Sequence, residues 1–265
     1  MTTAEFFASN PVFSLDEATR ALQPPGGRRG AVERLKHHVA KGRLKLVTRE
    51  VYAVVPPGVS GGRFQPDAML VAATARPDAI FAYHAALELL GAAHSVFEDV
   101  TVFTESRRSA LEVGSRTVLF LGDPGVFSGA VSRELGARLV DRRGRLVRST
   151  GPERTLVEGL RRPGLAGGSE ELVASASGLS VLDLALLEEV LRTYDLASLW
   201  AASGWFLEQH RDLFHPPDGL LERCEERRPK SPHYLERGRR GGVLVRRWNL
   251  ILPEAVARLG RPDAG

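Results

Sequence analysis

Cysteine is nearly absent from this sequence of 265 residues, in which Cys224 is the single example. One cysteine cannot form an intramolecular disulfide, and it cannot supply the several thiolates of a Cys-based zinc site. This composition suits the reducing cytoplasm, whereas small secreted proteins are rich in disulfides. We therefore expect a cytoplasmic protein.

Long apolar runs are missing as well. No run approaches the roughly 20 residues needed to cross a bilayer, and the first residues, MTTAEFFASNP, lack the basic and apolar regions of a signal peptide. We therefore expect no signal peptide and no membrane partner. The chain is 43% hydrophobic and 26% charged, a composition typical of globular proteins that allows one large core or two modest cores.

Catalytic and metal-binding motifs are also lacking. The sequence has no glycine-rich phosphate loop, no nucleophile elbow and no zincin motif. His37 and His38 are adjacent and cannot share a helix face as ligands, and His210 and His215 do not have the spacing that aligns two ligands on a helix. We therefore expect no catalytic residues, no metal and no cofactor in a protein that is not an enzyme.

Three acids keep one enzymatic interpretation open. Asp99, Glu105 and Asp123 flank two predicted strands at residues 100–104 and 117–121, as acids do in metal-dependent nucleases. Their spacing is not diagnostic, because acids commonly end strands. A metal-dependent nuclease therefore stays as an alternative interpretation.

The segment from residue 28 to residue 56 carries the strongest pattern. Val32, Leu35 and Val39 recur at helical spacing, and Gly42 follows as a helix stop. Residues 44–47 and 51–55 can then pair as strands around a turn. An earlier capping box, SLDE, predicts a helix that stops before a double proline. A helix followed by a β-wing predicts a winged helix-turn-helix in residues 1–58.

This segment is strongly basic. Residues 28–49 contain eight arginines and lysines and one acid, Glu33, whereas the whole chain carries a net charge of +4. An ordinary solvated helix mixes charges of both signs, so the excess favours contact with DNA. The predicted DNA contacts are Arg28 and Arg29 at the start of the helix, Arg34, His37 and Lys41 on its groove face, and Lys45 and Arg49 on the wing.

The rest of the chain predicts a larger mixed α/β domain, so that the fold class of the whole protein is α+β. Proline and glycine at 56–62 predict a boundary, with a linker at 59–65 and a domain at 66–265. The predicted elements are helices at 66–75 and 79–91, strands at 100–104 and 117–121, a hairpin at 139–148 turned at Arg143-Gly144, helices at 153–160, 169–177, 182–194, 197–214 and 220–227, and a strand at 243–253. A second capping box, at Thr150 and Glu153, opens the helical half.

A second basic cluster precedes the C-terminus. It consists of Arg237, Arg239, Arg240, Arg246 and Arg247 around Trp248. This cluster could extend a nucleic-acid contact, or it could be a solvated terminal hairpin whose tryptophan anchors the strand in the core. Both interpretations stay open.

Several segments, in order, resemble the AbiEi family, the antitoxin-regulators of type IV toxin–antitoxin and abortive-infection systems. The segments are FSLDEATRAL, RLKHHVAKGRLKLV, EVYAVVPPG, AYHAALELLGA, GPERTLVEGLRRPGLAGGSEEL, ASGWFLEQ and RRWNLIL, and they are spread over nearly the whole chain. The sequence departs from the family at Glu50-Val51, where many relatives carry glycine before the wing tyrosine, at Glu158, where aspartate is usual, and at Ala201-Ala202, where arginine is expected.

The resemblance implies a repressor that binds inverted repeats of double-stranded DNA in its own promoter. It also implies that the C-terminal domain neutralises a co-encoded nucleotidyltransferase-like toxin, for which a stable complex is not required. Three further interpretations of the chain stay open: the metal-dependent nuclease, a winged-helix regulator without a toxin, and an interaction protein whose winged helix binds protein partners.

Overall fold

The computed structural model describes residues 1–106, 109–127, 129–236 and 241–259, and the chain is a mixed α+β protein with several sheets. The helices in these ranges are α1 (Thr3–Ser9), α2 (Leu15–Leu22), α3 (Gly27–Ala40), α4 (Ala68–Ala75), α5 (Tyr83–Leu89), α6 (Ala130–Arg133), α7 (Pro152–Arg161), α8 (Ser169–Ser177), α9 (Leu184–Tyr194), α10 (Ala197–Gln209), α11 (Arg211–Phe214), α12 (Asp218–Glu226) and α13 (Glu254–Leu259). None of these helices is long and apolar enough to span a bilayer.

The strands form three sheets. The strands in the same ranges are β1 (Val12–Ser14), β2 (Leu44–Thr48), β3 (Val51–Val54), β4 (Ile80–Phe81), β5 (Asp99–Phe103), β6 (Leu111–Val113), β7 (Arg116–Leu121), β8 (Ala137–Arg142), β9 (Arg145–Thr150), β10 (His233–Tyr234), β11 (Val243–Val245) and β12 (Leu250–Leu252). Their orders in the three sheets are β1-β3-β2, β6-β7-β5-β4-β9-β8 and β10-β12-β11.

The chain divides into two compact units. The first consists of Met1–Ile80, Glu98–Gly122 and Asp141–Arg148. The second contains Phe81–Phe97, Asp123–Val140 and the chain from Ser149 onward. The linker predicted at 59–65 lies inside the first unit, where α4 packs on β1 and β3. Whether residues 1–58 fold by themselves therefore stays a prediction.

The N-terminal part of the first unit has a small aromatic core. Phe13 on β1 lies opposite Tyr52 on β3, and its ring centroid is 4.9 Å from that of Phe6 on α1. The predicted capping box of α2 is confirmed, because the Glu17 N–H donates to the Ser14 hydroxyl at 3.1 Å and the Ser14 N–H donates to the Glu17 carboxylate at 2.6 Å. These contacts bring α2 together with β1, a strand that the sequence pattern does not predict.

The strands predicted at 100–104 and 117–121 are confirmed as β5 and β7, which pair in parallel with Val102 opposite Phe120. The apolar sequence at 118–121 predicts a strand that is buried on both faces, and this prediction is wrong. Val118 and Phe120 are buried, but the other four residues of β7 are only half-buried. The four residues 118–121 are all apolar, so composition gives no indication there of which face is exposed.

The helices of the second unit surround one apolar core that includes residues of α7, α8, α9, α10 and α12. A Cβ atom at Gly159 would lie 2.4 Å from the Leu172 Cδ1 atom, so glycine permits the close approach of α7 and α8. A Cβ atom at Gly204 would lie 2.3 Å from the Trp248 ring. Trp248 is fully buried and donates its indole N–H to Glu208 at 2.6 Å, so it anchors the end of the chain.

Two predicted long elements are interrupted. The helix predicted at 197–214 breaks at His210, whose φ of −112° and ψ of 34° depart from the helical conformation and whose ring nitrogen lies 2.8 Å from the Phe206 carbonyl oxygen. The strand predicted at 243–253 breaks at a 3-10 turn, Arg246–Trp248, and Asn249 then takes a left-handed conformation with φ of 48°. In both places a local contact ends a segment whose hydrophobic pattern is continuous.

One predicted helix start and one predicted capping box are also wrong. The helix predicted at 79–91 begins only at Tyr83, because Ile80 and Phe81 form β4. The capping box predicted at Thr150 is not formed. The Thr150 hydroxyl contacts the Thr155 hydroxyl at 2.7 Å, and the Glu153 carboxylate accepts from the Asp183 N–H at 2.7 Å.

Candidate nucleic-acid interface

Helix α3 starts from a very tight connection to α2. The Gly27 N–H donates to the Pro24 carbonyl at 2.9 Å, and Gly26 takes a left-handed conformation with φ of 79°. A Cβ atom at Gly30 would lie only 1.9 Å from the Pro25 carbonyl oxygen. The angle at which α3 leaves α2 therefore depends on glycine at position 30.

One face of α3 packs on the core, where Ala31 and Leu35 are buried and Val32 and Val39 are partly buried. The predicted stripe of Val32, Leu35 and Val39 is therefore correct in direction, but Ala31 is more deeply buried than either valine. Exposed positions lie on the far side of the helix, which turns by about 100° per residue.

Arg34, His37 and Lys41 lie together on that far side. At about 100° per residue their directions fall within a sector of about 60°. His37 and Lys41 are exposed and Arg34 is partly exposed. In the part of the chain that the structure describes, none of the three side chains has a carboxylate partner. We name these three residues the α3 stripe.

The two arginines at the start of α3 do not join this stripe. Arg28 forms ion pairs with Asp16 on α2 and with Glu50, whose carboxylate is 2.8 Å from the guanidinium. The hydrogen bond from Arg28 to Glu50 raises the pKa of Arg28 above its ordinary value. Arg29 is exposed, but its direction differs from that of the stripe by about 80–140° at about 100° per residue.

The predicted wing is an antiparallel pair, β2 and β3, with a turn at Arg49 and Glu50. Glu50 has a φ of 62°, and its carbonyl accepts from the Leu15 N–H at 2.8 Å, so the turn is fastened to the start of α2. Arg49 lies at the tip of the turn. Lys45 is half-buried, and its ammonium donates to the Phe64 carbonyl at 3.0 Å.

At about 100° per residue, His38 points within about 40° of Arg34, but it does not join the stripe. Its ring is partly buried and packs edge-on against Phe7, with centroids 5.0 Å apart. Burial lowers the pKa of His38 below its ordinary value, and the positive charges of Arg43, His37 and Arg34 lower it further. His38 is therefore a neutral part of the core edge.

Arg145 is a positioning residue that the sequence pattern does not single out. It lies on β9, and its guanidinium donates to the Val12 carbonyl at 3.0 Å, to the Thr74 hydroxyl at 3.1 Å and to the Glu17 carboxylate at 2.9 Å. The same Glu17 closes the capping box of α2. No local signal could identify this contact, because Arg145 lies more than a hundred residues away in sequence from both Glu17 and Val12.

The three acids of the nuclease interpretation do not form a site. Asp99 begins β5 and Glu105 follows the end of the same strand, so about 20 Å of extended chain separates them. Asp123 forms an ion pair with Arg133 at 2.9 Å. Within the described ranges, no three His, Cys, Asp or Glu residues are grouped so that they could hold a metal ion.

The motif GPERTLVEGL also has an internal role. Arg154 and Glu158 are fully buried and form an ion pair at 2.7 Å, and the Tyr194 hydroxyl donates to Glu158 at 3.2 Å. Burial raises the pKa of Glu158, whereas the positive charge of Arg154 opposes this change. Arg154 also donates to the carbonyls of Arg133 and Leu135. These contacts join segments of the second unit.

The second basic cluster divides into two groups. Arg237, Arg239 and Arg240 lie outside the described residues. Arg247 lies over the Trp248 ring, with 5.0 Å between its guanidinium carbon and the ring centroid, and it pairs with Glu208 and Glu225. Arg247 is therefore part of the packing around the buried tryptophan.

No protein-family model and no curated protein matches the chain. Among solved structures, the chain is similar to the crystal structure of the RV2827C protein from Mycobacterium tuberculosis. The TM-score is 0.60 and the identity is 17%, and the superposition covers 96% of this chain and 91% of that chain. A likeness at this identity concerns the fold.

Proposed function

We propose that this protein is a transcriptional regulator that binds double-stranded DNA through a winged helix-turn-helix in residues 1–58. The observation that carries the proposal is the element order α1-β1-α2-α3-β2-β3, with an antiparallel sheet in the order β1-β3-β2. In a winged helix the third helix enters the major groove, and the wing contacts the flanking backbone. Helix α3 and the β2–β3 turn occupy those positions in the sequence.

The charges on these elements support the proposal. The α3 stripe presents one guanidinium, one imidazole and one ammonium on the face opposite the core. Arginine can read guanine with two parallel hydrogen bonds, whereas lysine contacts phosphate and sets the position of the protein. Arg49 lies at the wing tip, where the phosphate backbone would run. Arg28 and Lys45 hold the unit together in the free protein, since both already have partners.

The test is the affinity for fragments of the protein's own promoter, measured by fluorescence anisotropy at several salt concentrations. We expect the double variant Arg34→Ala, Lys41→Ala to lose at least about tenfold in affinity, because each good contact is worth about 1–3 kcal/mol. The matched control is Arg211→Ala, Arg258→Ala. It removes the same charge from two exposed residues, each paired with an exposed acid.

Three outcomes bear on the proposal. A loss in the α3 variant with an unchanged control supports it. Equal losses of DNA affinity in the α3 variant and the control would indicate that DNA is attracted only by the total positive charge of the protein. Unchanged affinity in the α3 variant would exclude this surface, and failure of every promoter fragment to bind would favour an interaction protein.

We further propose that the protein is the antitoxin and autorepressor of a type IV toxin–antitoxin system. The support is the resemblance of the seven segments to the AbiEi family. On this proposal, residues 66–265 are needed to neutralise a co-encoded nucleotidyltransferase-like toxin without a stable complex.

This second proposal has its own test. The gene beside this one is expressed in an inducible form, with or without the full chain, and growth is recorded. We expect growth to stop with the neighbour alone and to recover with the full chain. A neighbour that encodes no nucleotidyltransferase, or growth arrest that the chain does not relieve, would leave a regulator without a toxin. The promoter-binding result would be unaffected.

A further inference from the structure

The second unit contains a partly open cavity of about 750 Å³. Small-molecule sites in proteins commonly have about 300–1,000 Å³. The wall is built from the end of α7, the 3-10 turn Pro163–Ala166, the start of α10, and strands β10 and β12. Leucines from α7, α10 and β12 form an apolar floor, and polar groups lie on the rim. Neither the α3 stripe nor the wing contributes to it.

Two adjacent arginines make the rim positive. Arg161 and Arg162 are both exposed and both line the cavity. Arg161 lies over the Tyr194 ring at 5.4 Å. Burial raises the pKa of Tyr83 to about 12, and the positive charge of the neighbouring Arg162 opposes this change. Within the ranges that the structure describes, neither guanidinium forms an ion pair with a carboxylate; the buried Glu158 carboxylate, whose pKa the charge of Arg161 lowers, is paired with Arg154.

The acid that lines the cavity, Glu236, accepts a hydrogen bond from the protein itself. The Glu236 carboxylate accepts from the Ser169 backbone N–H, at the start of α8, at 2.7 Å. This places its negative charge at a helix N-terminus, which favours anions. The two arginines and this one acid therefore leave the lining of the cavity with an excess of positive charge. Arginine is well suited to bind phosphate, because its planar fork donates two hydrogen bonds at once.

Planar rings complete the rim. Tyr234 on β10 lines the cavity and leaves 40% of its surface exposed, and the neighbouring His233 is exposed as well. An exposed tyrosine beside an apolar floor provides a face on which another ring can stack. The cavity thus combines an anion site with a surface for a planar apolar group.

We propose that this cavity binds a small phosphate-bearing ligand with a planar ring, of the class of the mononucleotides. Arg161 and Arg162 hold the phosphate, and the ring lies between the leucine floor and Tyr234. The inference does not depend on DNA binding, because it concerns different residues of the second unit.

The test uses isothermal titration calorimetry of the full chain with AMP, adenosine and inorganic phosphate. AMP is expected to bind at least about tenfold more tightly than adenosine or inorganic phosphate, because it contacts both the arginines and the surface for the planar ring. Arg161→Gln and Arg162→Gln should each weaken AMP binding by about tenfold, because each removes a charged hydrogen-bond donor to the phosphate. Tyr234→Leu should weaken AMP binding and leave phosphate binding unchanged.

The matched control is Arg211→Gln, which removes one positive charge from an exposed residue of the same unit outside the cavity. Its affinity for AMP should stay within about twofold of the original, as is usual for exposed charges. The thermal unfolding of each unliganded variant is measured first. If Arg162→Gln fails to fold, Arg161→Gln and Tyr234→Leu decide the question.

The proposal is overturned if AMP shows no binding at about 1 mM, the weak end of the affinity scale for a specific small ligand. It is also overturned if Arg211→Gln weakens binding as much as Arg161→Gln does. Equal affinity for AMP and phosphate would contradict the role of the planar ring.

Discussion

A methyl group at Gly30 should loosen the connection between α2 and α3. The new Cβ atom would lie 1.9 Å from the Pro25 carbonyl oxygen. Normal contact is at about 3.5 Å, so backbone atoms must move apart by about 1.6 Å. Overpacking of this kind costs about 1–3 kcal/mol. Alanine otherwise favours a helix over glycine by about 1 kcal/mol, so the intrinsic preference opposes the clash.

The sign of the change in unfolding free energy shows whether the steric clash or the helix preference of alanine is larger. Gly219 lies in α12, and a Cβ atom there would meet only the Arg223 Nη1 atom at 3.5 Å, an ordinary contact. We therefore expect Gly219→Ala to stabilise the protein by up to about 1 kcal/mol, whereas Gly30→Ala should destabilise it by up to about 2 kcal/mol. Urea unfolding, followed by circular dichroism and by tyrosine and tryptophan fluorescence, measures both changes.

DNA affinity provides a second measurement on the same variants. If α3 is the recognition helix, a shift of its first turn displaces the α3 stripe, and misplacement of a contact by about 1 Å is costly. Gly30→Ala should then weaken promoter binding even at temperatures where it is fully folded, whereas Gly219→Ala should not. Equal stabilisation by both substitutions would refute the reasoning about the close approach at Pro25.

Two other substitutions should have measurable effects on the first unit. Arg145→Ala should reduce the free energy of unfolding by about 1–3 kcal/mol, because it leaves the half-buried Glu17 carboxylate without its guanidinium. The control is Arg63→Ala, at an exposed arginine of the same unit. Lowering the pH through about 6.5 should destabilise the protein through His38, because its folded pKa is depressed and the unfolded chain takes up the proton first. His38→Phe should flatten this pH dependence of urea unfolding.

Local features of the sequence predict much of the fold. Helix α8 has the predicted bounds, Ser169–Ser177, and the capping box at Ser14 forms as expected. The hairpin at Arg143-Gly144 is present, with φ of 54° and 82° at these residues. Each of these depends on residues within a few positions of one another. Turn chemistry and capping can therefore be read from a single sequence.

Features that depend on distant partners could not be predicted in this way. Strand β1 is only three residues long and forms because β3 lies beside it. The role of Arg145 depends on a fold that brings β9 to α2. Arg28 is ion-paired with Asp16 and Glu50, and both acids lie outside the basic segment 28–49. A count of charges along the chain cannot show which of them are paired in space.

This pairing sets an upper bound on the salt dependence of DNA binding. Of the eight basic residues in 28–49, Arg28 pairs with two acids, Lys36 pairs with Glu33 and Lys45 donates to a backbone carbonyl. Within the described residues, the basic side chains of this segment without a carboxylate or carbonyl partner are Arg29, Arg34, Lys41, Arg43 and Arg49.

Each phosphate contact contributes about −0.9 to the slope of log K against log salt, so one copy should give a slope no steeper than about −4.5. A slope near about −9 would indicate that two copies bind together, as inverted repeats require. An intermediate value would indicate further cations, for which the segment from Arg237 to Arg240 is the first candidate. A slope near zero would show that these five side chains do not meet phosphate at all.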